Sequence, residues 1–576
     1  MKKWMESRKG ADFNAIAAKY SISPYMARII RNRDVVGDDQ INKFINGTRK
    51  DMYDPSLLKD IDIASEIIED AISSGAHIRI IGDYDIDGIC ASYILYKAFT
   101  KFGGSVDVRL PDRVKDGYGM NENMVREAAE DMVELIVTCD NGIAAYREIE
   151  LAEELGISVV VTDHHEVPFE EQNGEKVYII PPADAVVDPK QPDCNYPMSG
   201  ICGAMVAYKL IQKLGENYGM PGAMDDELLQ FAAFATVGDI MDLKDENRIV
   251  VREGLELMKN TSNEGLSALI DVTGVDRNRL APHHISFVLG PCMNATGRLD
   301  SAERALELLK CGDRATAVGI AEQLYELNNS RKDMTVAFTQ KAIDIVEEQG
   351  QNADKVIVVY LKECHESLAG IIAGRLKEYY YRPTIVFTDS EGLIKGSGRS
   401  IEDYDMFEEL TKVKDLFVKF GGHKMAAGMS VNNVSDAKAL RNRLNDNATL
   451  TDEQLIEKCY IDIPLPLSYL SMHLIEELEQ LAPFGVGNPR PLFAEKDVPL
   501  SQVRLLGKNN NVLQMIFTVR DNKTGAPINV EGICFENAKK MYDEICNRSS
   551  ISILYSPTIK EFNGRRSIQV QIKDYF

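Results

Sequence analysis

The sequence predicts an α/β protein: a parallel-sheet domain, a second α/β domain reached through long helices, and a tail of short strands. Three observations carry this. From His77 onward, strand-length apolar runs alternate with helical patterns. Those strands are continuously apolar, as in a parallel sheet covered on both faces. The alternation returns over 354–447, after a helical stretch. With 576 residues the chain is too long for one ordinary core, so several domains are expected.

Taken in order, residues 1–75 read as helical. Ala11 to Tyr20 and Ser23 to Arg33 carry helical periodicity, Asp51–Pro55 is a turn, and Asp60 to Ser73 is amphipathic. Residues 76–300 form the sheet domain. Its strands are His77–Ile81, Val106–Leu110, Leu135–Cys139 and Ser158–Thr162, and its helices are Ile89–Phe102, Glu122–Met132 and Ala144–Leu155. Residues 301–350 read as a helical connector, clearest at Ala315–Leu327 and Asp333–Glu348. Residues 351–450 hold strand Lys355–Leu361, helix Gly370–Tyr381 and strand Thr384–Thr388, with Gly421-Gly422-His423 as a turn where backbone can approach phosphate. After a linker at 451–491, residues 492–576 carry short strands at Val503–Leu506, Val512–Val519, Ile528–Cys534, Ile551–Ser556 and Ser567–Ile572, with Asn563-Gly564 as a hairpin turn.

The chemistry gathers at strand ends. Asp83, Asp85 and Asp87 follow the first strand, Asp140 the third, and Asp163-His164-His165 the fourth. Ligand sites in parallel sheets lie beyond the carboxyl ends of the strands, so these groups should face one crevice. The apolar segment Phe231–Gly238 ends in Asp239 and can deliver a further acid. Crowded carboxylates repel one another unless a cation compensates, and a mixed Asp/His set suits divalent metals. Each piece alone fits a plainer role. The three acids can be a solvated turn with a helix cap, and Asp140-Asn141-Gly142 can be an ordinary turn. On a continuing strand, only one of His164 and His165 can point inward. His77, His283 and His284 read as structural.

Composition narrows the function. The net charge of −24 argues against a protein that coats duplex DNA, but allows a local basic track or a site whose cations are metals. The tail is basic within this acidic chain, with 12 Lys and Arg against 9 Asp and Glu over 492–576. Its Phe517, Phe535, Tyr555 and Phe562 are stacking candidates, with one or two expected to be exposed. No apolar run is long enough to span a bilayer, and the residues from Met1 to Glu6 lack the apolar core of a signal peptide. Ten scattered cysteines without a CxxC pair point to reduced thiols and a cytoplasmic protein.

Gly82-Asp83-Tyr84-Asp85-Ile86-Asp87-Gly88, Asp140-Asn141-Gly142, Asp163-His164-His165 and Gly238-Asp239 resemble the four motifs of the DHH phosphoesterase superfamily. Further stretches are similar to its RecJ branch of 5′→3′ single-strand-specific DNA exonucleases: Leu110-Pro111-Asp112-Arg113, Gly117-Tyr118-Gly119, Asn294-Ala295-Thr296-Gly297-Arg298, Gly396–Ser400, Phe420–Gly428 and Ala482–Pro489. The resemblance covers nearly the whole chain. It implies a DHH domain, a companion DHHA1 domain and an OB-like β-barrel, partly open and suited to single strands. It implies that Asp85, Asp87, Asp140, His164 and Asp239 hold two divalent ions, Mn²⁺ or Mg²⁺, with Asp140 between them. Asp163 would orient the first histidine, His165 would lie against the scissile phosphate, and Asp83 would support the cluster. Arg113, Arg298, Ser397 and Arg399 would bind a 5′-terminal phosphate, and Asn294 and His423 would touch phosphate near the cleft.

Two departures stand out. Ile81 occupies a position where related pyrophosphatases carry a histidine ligand, and Cys364-His365-Glu366-Ser367-Leu368-Ala369-Gly370-Ile371 replaces a bulkier segment. The reading is a metal-dependent exonuclease on single-stranded DNA serving repair or recombination, with a helicase and a single-strand-binding protein as candidate companions and a monomer as the default. The competing readings are a DHH/DHHA1 phosphodiesterase for short oligonucleotides or cyclic dinucleotides, and a non-catalytic scaffold. The five retained ligands argue against the scaffold.

Overall fold

The apolar runs around the acids become five parallel strands. Their order is Ser105–Arg109, His77–Ile81, Leu135–Cys139, Ser158–Thr162, Ala185–Val187. The direction of strand addition reverses between His77–Ile81 and Leu135–Cys139, and that reversal opens a crevice at the carboxyl ends. Register keeps those ends level: Cys139 pairs with Thr162, and Thr162 with Val187. The next residues, Asp140, Asp163 and Asp188, therefore leave the sheet side by side. Ile81, Ile136, Val159, Val161 and Val186 pack on one face with Met124, Val125, Ile149 and Ala152. Helices Ile86–Lys101, Gly203–Asn217 and Asp225–Gly238 pack on one another.

The computed structural model describes residues 2–576 apart from 114, 173, 300, 391, 508, 509 and 523. The chain divides into two units, the larger holding Trp4–Asn294, Ala302–Glu322 and Tyr460–Phe576, and the smaller centred on Ala295–Ser301 and Gln323–Cys459. Where two helical pieces are expected in the connector, the structure has one helix of 35 residues, Arg314–Glu348. The polar stretch 328–333 does not break it, because nothing there is a helix breaker.

In the smaller unit a mixed sheet runs Lys419–His423, Ala426–Val431, Leu393–Arg399, Thr384–Ser390, Ile357–Tyr360. Only the last pair is parallel. Gly421-Gly422-His423 is thus strand, not turn: Gly421 pairs with Gly428 and His423 with Ala426.

The tail closes into a five-stranded barrel, Phe493–Leu506, Val512–Arg520, Pro527–Cys534, Arg565–Tyr575 and Ser550–Phe562. It is fully closed rather than partly open, since Pro527–Cys534 pairs in parallel with Arg565–Tyr575. The hairpin turn falls where Asn563-Gly564 places it, with φ of +49° and +72°. Phe517 and Tyr555 fill the barrel core, while Phe535 and Phe562 are exposed. That core continues into the N-terminal helices, where Met26, Ile29, Ile30 and Phe44 join Leu474, Phe493, Phe517 and Tyr555 in one cluster. Arg33 seals the junction with a bidentate pair to Asp462 at 2.6 and 3.0 Å.

Candidate metal centre

Asp83, Asp85 and Asp87 alternate along the turn from the first strand into helix Ile86–Lys101. Asp85 caps that helix, its Oδ1 accepting from Asp87 N (2.9 Å) and Gly88 N (3.2 Å). Capping and clustering are the same structure here. Asp87 is gripped from the far side: Gly203 N and Ala204 N, the first amides of helix Gly203–Asn217, donate to its two oxygens at 2.7 and 2.8 Å. A helix start suits a carboxylate. Gly203 is required for the approach, since a Cβ there would lie 2.7 Å from Asp140 Cβ. Nothing in the sequence marks this helix start as part of the site.

Asp140 takes a left-handed φ of +61°, which Asp tolerates. Its Oδ1 lies 3.0 Å from His164 Nε2. The same nitrogen lies 3.5 Å from Asp87 Oδ2 and 3.9 Å from Asp239 Oδ2. Asp239 arrives as the C-cap of helix Asp225–Gly238. Candidate ligand atoms of Asp83, Asp85 and Asp140 fall within 4.8 Å of one another, as do those of Asp87, His164 and Asp239, and those of Asp140, His164 and His165. All the acids and histidines expected at one crevice are therefore together.

Asp163 acts differently from expectation. Its Oδ1 accepts from His164 N (2.7 Å) and His165 N (3.2 Å), and lies 2.7 Å from His165 Nδ1. Its Oδ2 accepts from Ile143 N at 2.9 Å. Its side chain thus meets the second imidazole and not the first, since the strand has already ended at Thr162. Tyr118 donates its hydroxyl to Asp140 O at 2.8 Å and lies 3.1 Å from the His165 ring nitrogens. Asn141 ties two strands together through Ile81 O (3.0 Å) and Cys139 O (2.9 Å).

Electrostatics match a centre built for cations. Burial, then the neighbouring Asp85, pushes Asp83 up to about 8. Burial and Asp87 lift Asp239 to about 8, and burial with the surrounding acids holds Asp140 well above the usual carboxylate range. Burial lowers His164, keeping it in the neutral form that ligates metals. Burial also opposes charge on His165, but the Asp163 carboxylate overrides it and raises the ring to about 9. Asp83 Oδ2 and His164 Nδ1 are buried without a hydrogen-bond partner. Hard oxygen donors with one imidazole, held at the expense of protonation, fit divalent ions of the Mn²⁺ and Mg²⁺ kind.

Asp188 escaped the sequence reading. It follows the short strand Ala185–Val187 as the other acids follow theirs, and burial then Asp163 push it up to about 8. The apolar-run-then-Asp signal was present in Ala185-Val186-Val187-Asp188. The exposed hairpin of Phe169–Gln172 and Glu175–Tyr178 separates it from the preceding strand.

The expected phosphate contacts fall in both units. In the smaller one, Arg298 Nη1 donates to Ser367 O at 2.7 Å, and Arg399 Nη1 donates to Ser397 Oγ at 3.1 Å. Both lead to the first turns of helix Glu366–Tyr380, where a Cβ on Gly370 would lie 2.8 Å from Arg399 Nη2 and 2.9 Å from Ser397 Oγ. The segment that departs from the family pattern is thus the floor beneath these arginines. His423 is exposed at the end of its strand. In the larger unit, Asn294 Oδ1 accepts from Ile86 N at 2.8 Å, and the Arg113 guanidinium lies over the Tyr84 ring at 4.9 Å. His77 pairs with Asp107 at 2.9 Å, and His284 Nδ1 accepts from Ala281 N at 3.1 Å, both structural.

A parallel sheet whose switch point collects these acids and a histidine defines a DHH-type phosphoesterase, and the DHH family, N-terminal domain, matches residues 77–236. The DHHA1 domain matches 353–449 and the RecJ OB domain matches 461–574. The single-stranded-DNA-specific exonuclease RecJ of Bacillus subtilis is 35% identical over 99% of this chain and 70% of its own length. That of Escherichia coli is 31% identical over 96% of this chain and 95% of its own. Among solved structures, RecJ from Thermus thermophilus in complex with Mn²⁺ has a TM-score of 0.80 at 27% identity, covering 100% of this chain and 79% of that one. The chain belongs to the RecJ family.

Proposed function

We infer that the protein is a metal-dependent exonuclease that hydrolyses single-stranded DNA from the 5′ end to mononucleotides. The convergence of Asp85, Asp87, Asp140, His164 and Asp239 at the switch point carries this reading. These residues would hold divalent ions of the Mn²⁺ or Mg²⁺ kind, with Asp140, which lies among both the acid and the histidine groups, central to the set and Asp83 in support. When bound, such ions supply a hydroxide nucleophile at neutral pH and cover charge on the leaving oxygen.

The chain's own groups set the geometry. The amides of Gly203 and Ala204 fix Asp87 before any ion arrives. His165, kept cationic by Asp163, presents its other ring nitrogen as a donor to a phosphoryl oxygen. The Tyr118 hydroxyl links that ring to the Asp140 backbone carbonyl. Arg298, Arg399 and Ser397, at the start of helix Glu366–Tyr380, take the 5′-terminal phosphate, for which a guanidinium fork and a helix N-terminus are suited. Arg113, Asn294 and His423 add phosphate contacts.

The RecJ OB domain at 461–574 favours a polymer over cyclic or short dinucleotide substrates. Phe535 and Phe562 are its exposed stacking surfaces. We place the enzyme in the cytoplasm, as a monomer working on strands opened by a helicase and held by a single-strand-binding protein. Among the described residues no helix is long and apolar enough to cross a membrane. The test is an end-labelled assay with Mn²⁺ or Mg²⁺ on 5′-phosphorylated single strands, duplexes and dinucleotides. Stepwise loss of the single strand is expected; cleavage of dinucleotides alone would overturn the reading.

A further inference from the structure

Helix Asp225–Gly238 ends in a Schellman arrangement. Met241 N donates to Thr236 O at 3.0 Å and Ile240 N donates to Val237 O at 3.3 Å, with Asp239 as the C-cap. The motif needs a left-handed residue after the cap, and Ile240 supplies it with φ of +61°. Glycine adopts this conformation freely, whereas a β-branched side chain meets it against its own backbone. The other described non-glycine residues with positive φ are mostly Asp and Asn, and Ile240 is the only β-branched one among them.

The fold gains nothing in return. The Ile240 side chain is 67% exposed. Strain and exposed hydrocarbon would both vanish with glycine at this position, so the use of the side chain lies outside the folded chain. Its location says what that use is. Ile240 follows Asp239 directly. On the other side of Asp239, Gly238 sits flush on Ile86, where a Cβ would come within 2.6 Å of that side chain. Ile86 lies between Asp85 and Asp87. An exposed aliphatic group is therefore held one residue from the acids, on a backbone locked by two hydrogen bonds.

We propose that Ile240 is a substrate-contacting residue, resting on the apolar face of the base of the nucleotide whose phosphodiester lies at the acids. The proposal rests on the nuclease reading above. A nucleotide offers apolar surface next to its phosphate whatever its sequence, so an aliphatic contact here is sequence-tolerant. Strain in the protein is retained because it places that contact, as strain at functional sites does.

The experiment compares wild-type protein with Ile240→Gly and Ile240→Val. Substrates are a 5′-phosphorylated single strand and the same strand with an abasic residue at the cleaved position. Ile240→Gly should melt at a higher temperature than wild type. Its KM for the intact strand should rise about tenfold, the scale of one lost aliphatic contact. On the abasic strand the Gly variant and wild type should differ much less, and Ile240→Val should follow wild type throughout. An unchanged KM for the intact strand in Ile240→Gly would overturn the contact. An equal loss on both strands would also overturn it, showing that Ile240 acts only through the placement of Asp239. Wild-type protein that leaves both strands whole would refute the nuclease reading itself, and this contact with it.

Discussion

Burial and the neighbouring acids push Asp83, Asp188 and Asp239 up to about 8 in the folded chain, whereas an unfolded Asp titrates near about 3.9. Between those values the folded protein holds protons that the unfolded chain has released. The sign follows: stability of the metal-free protein falls as pH rises from about 4 to about 8. Urea unfolding in a chelator at several pH values should show this decline, and Mn²⁺ should stabilise most at the alkaline end, where it displaces fewest protons. A flat profile would mean that the acids are not crowded as described. Asp140 meets both histidine and acid groups, so Asp140→Ala should abolish turnover on 5′-labelled single strands. Activity within about tenfold of wild type would rule out its central place.

At the scale of elements, the start of helix Gly203–Asn217 must stay fixed for Asp87 to stay fixed. Lys209 on this helix forms a buried pair with Glu246 on helix Asp245–Lys259, Nζ to Oε1 at 2.5 Å, and also donates to Tyr53 O at 2.5 Å. Burial lowers Lys209 even with Glu246 beside it. Removing Lys209 leaves the Glu246 carboxylate buried without its counter-charge, held only by neutral hydrogen bonds from Tyr53 N and the Tyr196 hydroxyl. Lys209→Ala should therefore cost about 3–5 kcal/mol in denaturant unfolding, while Lys209→Met with Glu246→Leu should restore most of it. In the smaller unit, Gly370 packs directly under Arg399 and Ser397, the proposed contacts to a 5′-phosphate. Gly370→Ala pushes into Arg399 and Ser397, so the preference for a 5′-phosphate over a 5′-hydroxyl should shrink in competition assays while turnover at saturation holds.

Across the larger unit, distant parts of the chain meet on Arg248. Its buried guanidinium donates to Phe44 O (2.9 Å), Leu481 O (2.6 Å) and Gln480 O (3.2 Å). Phe44 is in the last turn of helix Asp38–Asn46, and Gln480 caps helix Met472–Glu479. Two helix C-termini thus point their partial negative charge at one cation. Burial still lowers Arg248 to about 9. Arg248→Met should uncouple the N-terminal and barrel core from the sheet domain. Thermal unfolding followed by calorimetry should then split into two transitions, and a single unshifted transition would contradict the coupling.

Much of the centre was readable from residues alone. Apolar runs of strand length followed by Asp or His are local patterns, and a parallel sheet brings such ends to one crevice. That is why Asp85, Asp87, Asp140, His164 and Asp239 assemble as the pattern predicts. Asp188 carries the same signal, but a hairpin placed before it hid its strand. What the sequence by itself determined is the set of acids and the family of chemistry, because both follow from short-range periodicity and motif. Tertiary structure alone decided that the amides of Gly203 and Ala204 grip Asp87, that Asp163 serves His165, and that residues near 30 and near 460 share one core. Those contacts join residues that are far apart in the chain, or turn on where a backbone bends, and neither is written in local pattern.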